Sequence, residues 1–313
     1  MQDRYDRDIN YLRLSVTDLC NLRCAYCMPE AGVVKRAHAD ILRVEEIGEI
    51  VRACAACGVT KVRLTGGEPL LRRGIVDICR LTAATEGIWE VCMTTNGTLL
   101  PEYAQKLRDA GLDRVNISLD SLNAETYRDL TRRDEFGAAM RGLDAAFSAG
   151  FRAVKINTVL MAGVNEGEIA ELAALTYRGA DVRFIELMPV GERAAWSLGR
   201  FLENSAVLRA LPELVPEGTE GVATLYRLPG AAGRVGLISP VSAHFCPGCN
   251  RIRITSDGKL KPCLHSAEEI NLRGLTGAEL ETTIRAAVRQ KPERHALESG
   301  KSESGRNMNE VGG

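Results

Sequence analysis

The sequence predicts an α/β fold built on parallel strands, and three observations support this prediction. Residues 1–190 alternate short apolar segments rich in β-branched side chains with amphipathic segments. Gly58, Gly111 and Gly150 each close an amphipathic segment just before the next apolar one, as C-terminal helix caps do. Polar motifs follow the apolar segments, where parallel folds carry their chemistry. Six such units leave two alternatives, a partial barrel and an open doubly wound sheet.

The individual elements follow in order along the chain. The first region has strands at 12–16, 61–65, 90–94, 114–119, 153–160 and 182–187, and helices at 44–56, 74–85, 101–110, 137–149 and 166–177. The second has a helix at 197–210, a Pro- and Gly-rich region at 212–236, a hairpin of strands 251–255 and 259–261, and a helix at 277–289. We therefore divide the chain into a core at 1–191, an extension at 192–291 and a tail at 292–313, whose polar, Ser- and Gly-rich composition predicts flexibility.

The composition excludes several classes of protein. The 313 residues include 40 basic and 41 acidic side chains, and a net charge of −1 disfavours a DNA-binding protein. No apolar run is long enough to cross a bilayer, and the polar start lacks the features of a secretory signal. We therefore expect a cytoplasmic protein with no membrane association. Its 10 cysteines then need a role other than structural disulfides, because the cytosol keeps thiols reduced.

The first cysteine group is the trio Cys20, Cys24 and Cys27, spaced C-x3-C-x2-C after the first strand. Thiolates are the usual ligands of iron–sulfur clusters, and three of them leave one iron of a [4Fe–4S] cluster open. A structural zinc site would need a fourth ligand, for which His38 is the nearby candidate. The spacing favours the cluster.

This trio, with Tyr26 just before its last cysteine, resembles the signature of the radical S-adenosylmethionine (SAM) superfamily. The resemblance implies a partial (βα)6 TIM-like barrel whose cluster binds SAM at the open iron. One electron then cleaves SAM to methionine and a 5′-deoxyadenosyl radical. The turn at 66–69 resembles the superfamily segment that contacts the SAM amino group. By the same resemblance, the positions that contact SAM are Tyr26, Gly67, Ser118 and Met188.

The second cysteine group is the trio Cys246, Cys249 and Cys263, spaced C-x2-C-x13-C. The predicted hairpin folds Cys263 back toward the other two cysteines. A zinc site with His244 or His265 as its fourth ligand and an iron–sulfur cluster are about equally compatible with this local pattern.

Essentially the whole chain resembles the GTP 3′,8-cyclase family of molybdenum cofactor biosynthesis, most specifically at 8–29, 185–191 and 246–253. The resemblance implies a second [4Fe–4S] cluster, on the second trio, whose open iron binds the guanine of GTP. The radical would abstract the 3′ hydrogen of GTP, and the product would be (8S)-3′,8-cyclo-7,8-dihydroguanosine 5′-triphosphate. It also implies a one-electron reductant of the flavodoxin or ferredoxin type, a downstream cyclic pyranopterin monophosphate synthase, and a homodimer.

The same resemblance assigns residues to the substrate. The positions that match GTP contacts are Arg13, Arg63, Thr94, Lys155, Arg251 and Arg253. Arginine suits phosphate because its planar fork donates two hydrogen bonds, and a charge inside a strand is an unusual packing choice. The catalytic set implied by the family is Arg251, Arg253 and the terminal Gly312 and Gly313. A disordered end or a conjugation tail would also account for the two glycines.

Two other functions remain as alternatives. The first is a radical SAM enzyme that modifies a peptide and carries an auxiliary cluster, although such enzymes usually have more C-terminal cysteines. The second is a non-catalytic zinc-binding module. Iron content separates these, because two [4Fe–4S] clusters need roughly eight irons per chain.

Overall fold

The computed structural model describes residues 1–33, 36–295, 297 and 302–312. Its strands are β1 (Tyr11–Ser15), β2 (Lys61–Thr65), β3 (Glu90–Thr95), β4 (Arg114–Ser118), β5 (Ala153–Leu160), β6 (Asp181–Glu186), β7 (Val215–Glu220), β8 (Ala223–Arg227), β9 (Val235–Ile238), β10 (Arg251–Ile254), β11 (Lys259–Lys261) and β12 (Ile270–Asn271). They form one sheet in the order β12-β11-β10-β1-β2-β3-β4-β5-β6-β9-β8-β7.

The centre of this sheet confirms the predicted alternation. Strands β1 to β6 lie side by side in chain order, and each pairs in parallel with the next. The sheet does not close, since β12 and β7 end the series at opposite edges. One face of β1–β6 lines a single cavity, which identifies the fold as the partial barrel rather than the doubly wound sheet.

The helices of the described chain are α1 (Val44–Ala56), α2 (Ile75–Ala83), α3 (Leu100–Asp109), α4 (Ala124–Thr131), α5 (Phe136–Ser148), α6 (Ile169–Ala174), α7 (Ala194–Leu198), α8 (Ser205–Ala210) and α9 (Gly277–Arg289). Helix α1 shows why they form: Ile47, Ile50, Val51 and Cys54 recur at the helical period and are buried in the core. None of the helices described is long and apolar enough to cross a membrane.

Several elements differ from the sequence expectation. The helix expected at 197–210 is two short helices, α7 and α8, because residues 199–204 leave the helical path. Helix α4 was not predicted, although the Asn123 side chain caps it by accepting from the backbone N–H groups of Glu125 and Thr126. The region at 212–236 contains the hairpin β7–β8 and the first two residues of strand β9. Most side chains of β7 are exposed, so no apolar alternation marked it in the sequence.

The C-terminal part of the chain extends the sheet at both edges. Strand β9 pairs in parallel with β6, and β10 pairs in parallel with β1. The strands after 191 therefore share one sheet with the core, and the domain boundaries at 191 and 291 stay a prediction.

The composition predicted a flexible tail, whereas residues 302–312 pack against the barrel. Arg306 makes bidentate contacts with two carboxylates, at 2.9–3.0 Å to Asp257 and 2.6 Å to Glu269. The Asn309 side chain donates to the Asp18 carbonyl at 2.9 Å. Composition reports that these residues are polar, but it cannot show that their partners lie elsewhere in the fold.

Candidate functional site

A cavity of about 400 Å³ lies on the concave face of the sheet. Both cysteine trios line it, together with side chains from strands β1 to β6 and β10 and from the tail. Of the site residues predicted from the sequence, the cavity is lined by Arg13, Cys20, Cys24, Tyr26, Cys27, Arg63, Gly67, Thr94, Ser118, Lys155, Met188, Cys246, Cys249, Arg251, Arg253 and Cys263. Gly312 lies beside it, and Gly313 is outside the described residues.

Strand alternation arranges the lining in levels. Alternate residues of a strand face the same side, so β4 presents Arg114, Asn116 and Ser118 to the cavity, from its amino to its carboxyl end. In register, Arg13 lies between Arg63 and Arg253 on the neighbouring strands. The first trio follows the carboxyl end of β1. In the second trio, Cys246 and Cys249 precede the amino end of β10, and Cys263 follows β11, which runs antiparallel to β10 and ends beside its start. The two trios therefore lie at opposite ends of the cavity, with cations between them.

The turn at 66–69 holds the loop that carries the first trio. A Cβ atom on Gly67 would lie 2.3 Å from the Leu19 carbonyl oxygen, and one on Gly66 would lie 2.4 Å from that of Thr17. The Gly67 N–H donates to the Thr17 carbonyl and the Glu68 N–H donates to the Leu19 carbonyl, both at 2.8 Å. Only glycine allows two backbones to approach this closely. The packing of this turn against the loop therefore accounts for Gly66 and Gly67 by itself.

Buried carboxyls surround the first trio. Burial raises the pKa of Glu68 to about 7, although its oxygens accept from the Asn96 N–H and the Thr95 hydroxyl at 2.7 Å. Burial also raises the pKa of Asp120 to about 6, and the Tyr26 hydroxyl donates to it at 2.8 Å. The sequence analysis placed Asp120 at a strand end but did not pair it with Tyr26, because 94 residues separate them.

Cations surround the second trio. Burial raises the pKa of Cys249, but the charges of Arg251 and Lys291 outweigh it and bring the pKa down to about 7. Lys291 also donates to the carbonyls of Arg251 and Pro262, at 2.8 and 2.7 Å, and so ties the start of β10 to the segment before Cys263. Lys291 was missed in the sequence because it lies between the helix predicted at 277–289 and the tail that begins at 292, outside every motif.

The spread of the thiols bears on which metal the trios fit. A tetrahedral zinc site with Zn–S bonds of about 2.3 Å places its sulfur atoms about 3.8 Å apart. Among the described residues, the group of ligand atoms within 4.8 Å of one another is His244, Cys246 and His295, and neither trio forms such a group. The donor set of three thiols, spread more widely than one zinc ion would hold them, fits a cluster of several metal atoms.

The arginines of the cavity hold the C-terminal tail. Arg253 donates to the carbonyls of Val311 and Gly312 at 3.0 and 2.7 Å, and Arg13 donates to Gly312 at 3.3 Å. Gly312 has a φ of 73°, and a Cβ atom there would lie 2.3 Å from the Thr65 hydroxyl. Both constraints require glycine at this position. Burial and the neighbouring Arg251 lower the pKa of Arg253 to about 10.

Three further cations on the parallel strands line the cavity beyond the predicted set. Lys61 lies on β2, Arg114 on β4 and Arg183 on β6. All three are charged residues of a strand, the same signal that singled out Lys155, so the sequence could have indicated them. Arg63, two residues after Lys61 on the same strand, donates to the hydroxyls of Tyr11 and Thr94.

Comparisons with known proteins agree with this arrangement. Residues 14–176 match the Radical SAM superfamily, and residues 180–297 match Molybdenum Cofactor Synthesis C. The GTP 3′,8-cyclase of Alkaliphilus metalliredigens is 49% identical over 320 residues, covering 100% of both chains. That of Geobacter sulfurreducens is 48% identical over 311 residues, covering 96% of this chain and 95% of the relative.

Solved structures support the fold. Streptococcus suis SuiB bound to its precursor peptide SuiA superposes with a TM-score of 0.65 at 15% identity, covering 97% of this chain and 75% of SuiB. At this identity the likeness concerns the architecture alone.

Proposed function

This chain belongs to the GTP 3′,8-cyclase family of radical SAM enzymes, and we propose that it converts GTP to (8S)-3′,8-cyclo-7,8-dihydroguanosine 5′-triphosphate. This is the first step of molybdenum cofactor biosynthesis. One observation carries the proposal: two cysteine trios face the same cavity from opposite ends, with a band of cations between them. A radical initiator and an anionic substrate can therefore bind in one enclosed space.

The cofactors are SAM and two [4Fe–4S] clusters, one held by Cys20, Cys24 and Cys27 and the other by Cys246, Cys249 and Cys263. When bound, SAM and the first cluster supply the 5′-deoxyadenosyl radical that removes the 3′ hydrogen of GTP. Side chains and backbone of the protein position the bound SAM. Tyr26, Gly67, Ser118 and Met188 are assigned to SAM and lie toward the carboxyl ends of the strands, beside the first trio.

The substrate is assigned to the cationic band. Arg13, Arg63, Lys155, Arg251 and Arg253 face the cavity, and GTP brings about four negative charges that need such partners. Thr94 adds a hydroxyl beside Arg63. Arg253 and Gly312 are in direct contact, which supports assigning Arg251, Arg253 and the diglycine end to the reacting centre.

The remaining partners follow from the same reaction. A one-electron donor of the flavodoxin or ferredoxin type reduces the first cluster, and a cyclic pyranopterin monophosphate synthase consumes the product. We also propose a cytoplasmic homodimer, in keeping with the family.

The test is an anaerobic incubation of the reconstituted enzyme with SAM, a strong reductant and GTP deuterated at the 3′ position. We expect deuterium in 5′-deoxyadenosine and one cyclised product per SAM cleaved. Cleavage of SAM without a cyclised guanosine would overturn the substrate assignment while keeping the radical chemistry. The peptide-modifying alternative predicts that outcome, and the zinc module predicts no cleavage at all.

A further inference from the structure

Glu220 brings one carboxylate to four cations. Its oxygens lie 2.9 Å from Lys155, 2.9 Å from Arg183, 3.0 Å from Arg234 and 3.4 Å from Arg114. Lys155 and Arg183 line the cavity on adjacent strands, β5 and β6. A single side chain therefore holds together the cations at this side of the proposed substrate site.

Glu220 reaches these cations from outside the parallel core. It is the last residue of β7, and the hairpin β7–β8 joins the sheet through β9. The rest of β7 is exposed, whereas Glu220 and the two residues of the turn, Gly221 and Val222, line the cavity. The hairpin thus places one acidic side chain among the cavity's cations.

The carboxylate is charged at neutral pH. Burial raises the pKa of Glu220, but the hydrogen bond from Lys155 and the charge of Arg183 outweigh it and bring the pKa to about 2. The Lys155 side chain is only 3% exposed, and it contacts Glu220 and Asp181, the latter at 3.1 Å. Its charge is therefore already compensated before a substrate phosphate arrives.

A phosphate that binds Lys155 and Arg183 must share them with this carboxylate or displace it, because like charges at such distances repel. We propose that Glu220 is a specificity-determining residue, an internal counter-anion that competes with the substrate's phosphates for Lys155 and Arg183. It would lower the affinity for phosphate-bearing ligands without affecting the guanosine moiety. This inference rests on the proposed function, because it takes GTP as the substrate.

The experiment measures equilibrium binding of GTP and of guanosine to the anaerobic holoenzyme. Glu220→Gln keeps the size of the side chain and removes its charge. We expect it to tighten GTP binding about 5- to 10-fold, to leave guanosine binding unchanged, and to steepen the loss of GTP affinity with added salt. Glu220→Asp keeps the charge but withdraws it on a shorter side chain, so it should also tighten GTP binding, by less than Glu220→Gln.

Glu217→Gln is the matched control. Glu217 lies on the same strand, pairs with Arg227 and does not line the cavity, so its neutralisation should change neither ligand's affinity. Weaker or unchanged GTP binding by Glu220→Gln would overturn the proposal, and so would equal changes for GTP and guanosine. If Glu220→Gln loses its clusters, Glu220→Asp decides: a GTP affinity that rises as the shorter side chain withdraws supports competition, and one that falls or stays unchanged overturns it.

The two proposals fail separately. A wild-type enzyme that makes no cyclised product, while Glu220→Gln still tightens GTP, would refute the proposed function alone. A wild-type enzyme that cyclises GTP, with no selective effect of Glu220→Gln, would refute the role of Glu220 alone.

Discussion

The two cysteine trios offer the same three thiols in opposite electrostatic surroundings. Beside the first trio, burial and then the charge of Glu68 raise the pKa of Cys20 to about 11. Beside the second, Arg251 and Lys291 bring the pKa of Cys249 down to about 7. The carboxyl-rich end suits SAM, which carries a sulfonium and an amino group, and the cationic end suits a nucleoside triphosphate. Each end of the cavity thus matches the charge of a different ligand.

The largest effect is expected from removing the first trio. Cys24→Ser should abolish 5′-deoxyadenosine formation and lower the iron content from about eight to about four per chain, because only the second cluster would remain. Chromatography of the nucleosides and iron analysis under anaerobic conditions measure both effects. Cys54→Ser, a buried cysteine of α1 in the hydrophobic core, is the control and should keep both. Continued SAM cleavage by Cys24→Ser would mean that the trio does not initiate the reaction.

Removing the second trio should separate initiation from cyclisation. Cys246→Ser should form no cyclised product and yet still cleave SAM slowly, because the first cluster lies at the far end of the cavity. The ratio of 5′-deoxyadenosine to cyclised product measures this, with Cys79→Ser, buried between α2 and α3, as the control. Normal cyclisation by Cys246→Ser would show that the second trio is not the substrate end.

The tail connects the two ends, since Asn309 contacts the Asp18 carbonyl near the first trio and Gly312 contacts Arg253 in the cationic band. Arg306→Ala should lower cyclisation about 10- to 100-fold, because the docked tail would lose the partly buried, charge-assisted hydrogen bonds to Asp257 and Glu269, which contribute about 1.5–3 kcal/mol. Turnover and the rate of carboxypeptidase digestion measure the effect.

The control for the tail is Arg289→Ala, at the exposed end of α9, which should change neither turnover nor digestion. Full activity in Arg306→Ala, together with a protected C-terminus, would contradict the anchoring role of Arg306.

The smallest effect is expected from neutralising Asp181, which contacts Lys155 and Arg234. Burial raises the pKa of Asp181, but Arg234 and Lys155 outweigh it and bring the pKa to about 2. A carboxyl with a depressed pKa stabilises the fold at every pH above the ordinary pKa of aspartate. This contribution is lost as the pH falls through the folded-state pKa of about 2. Asp181→Asn should therefore lower the free energy of unfolding by about 1–2 kcal/mol between pH 5 and 8, and the deficit should shrink below pH 4.

Urea unfolding followed by tryptophan fluorescence measures this deficit across pH. Asp144→Asn is the control, because Asp144 pairs with Arg178 at the surface and an exposed pair contributes about 0–1 kcal/mol. A deficit for Asp181→Asn that did not change below pH 4 would show that its charge is not what stabilises this side.

Features that depend on local spacing could be predicted from the sequence. The alternation of strands and helices, the two trios and the glycine pair at 66–67 are each readable within a few residues, because helix period, strand period and ligand spacing are local properties. In-strand charges such as Arg13, Arg63 and Lys155 were readable for the same reason, since a buried charge is costly wherever the strand packs.

Only the tertiary structure decided which groups meet. Glu220 contacts Lys155 across 65 residues of chain, and Arg306 contacts Asp257 across 49. The hairpin carrying Glu220 lacked an apolar pattern, and the tail carrying Arg306 had the composition of a flexible segment. Ion pairs between distant residues depend on how the strands pack in three dimensions. The two trios could therefore be predicted from the sequence, whereas the fold set the charge around each of them.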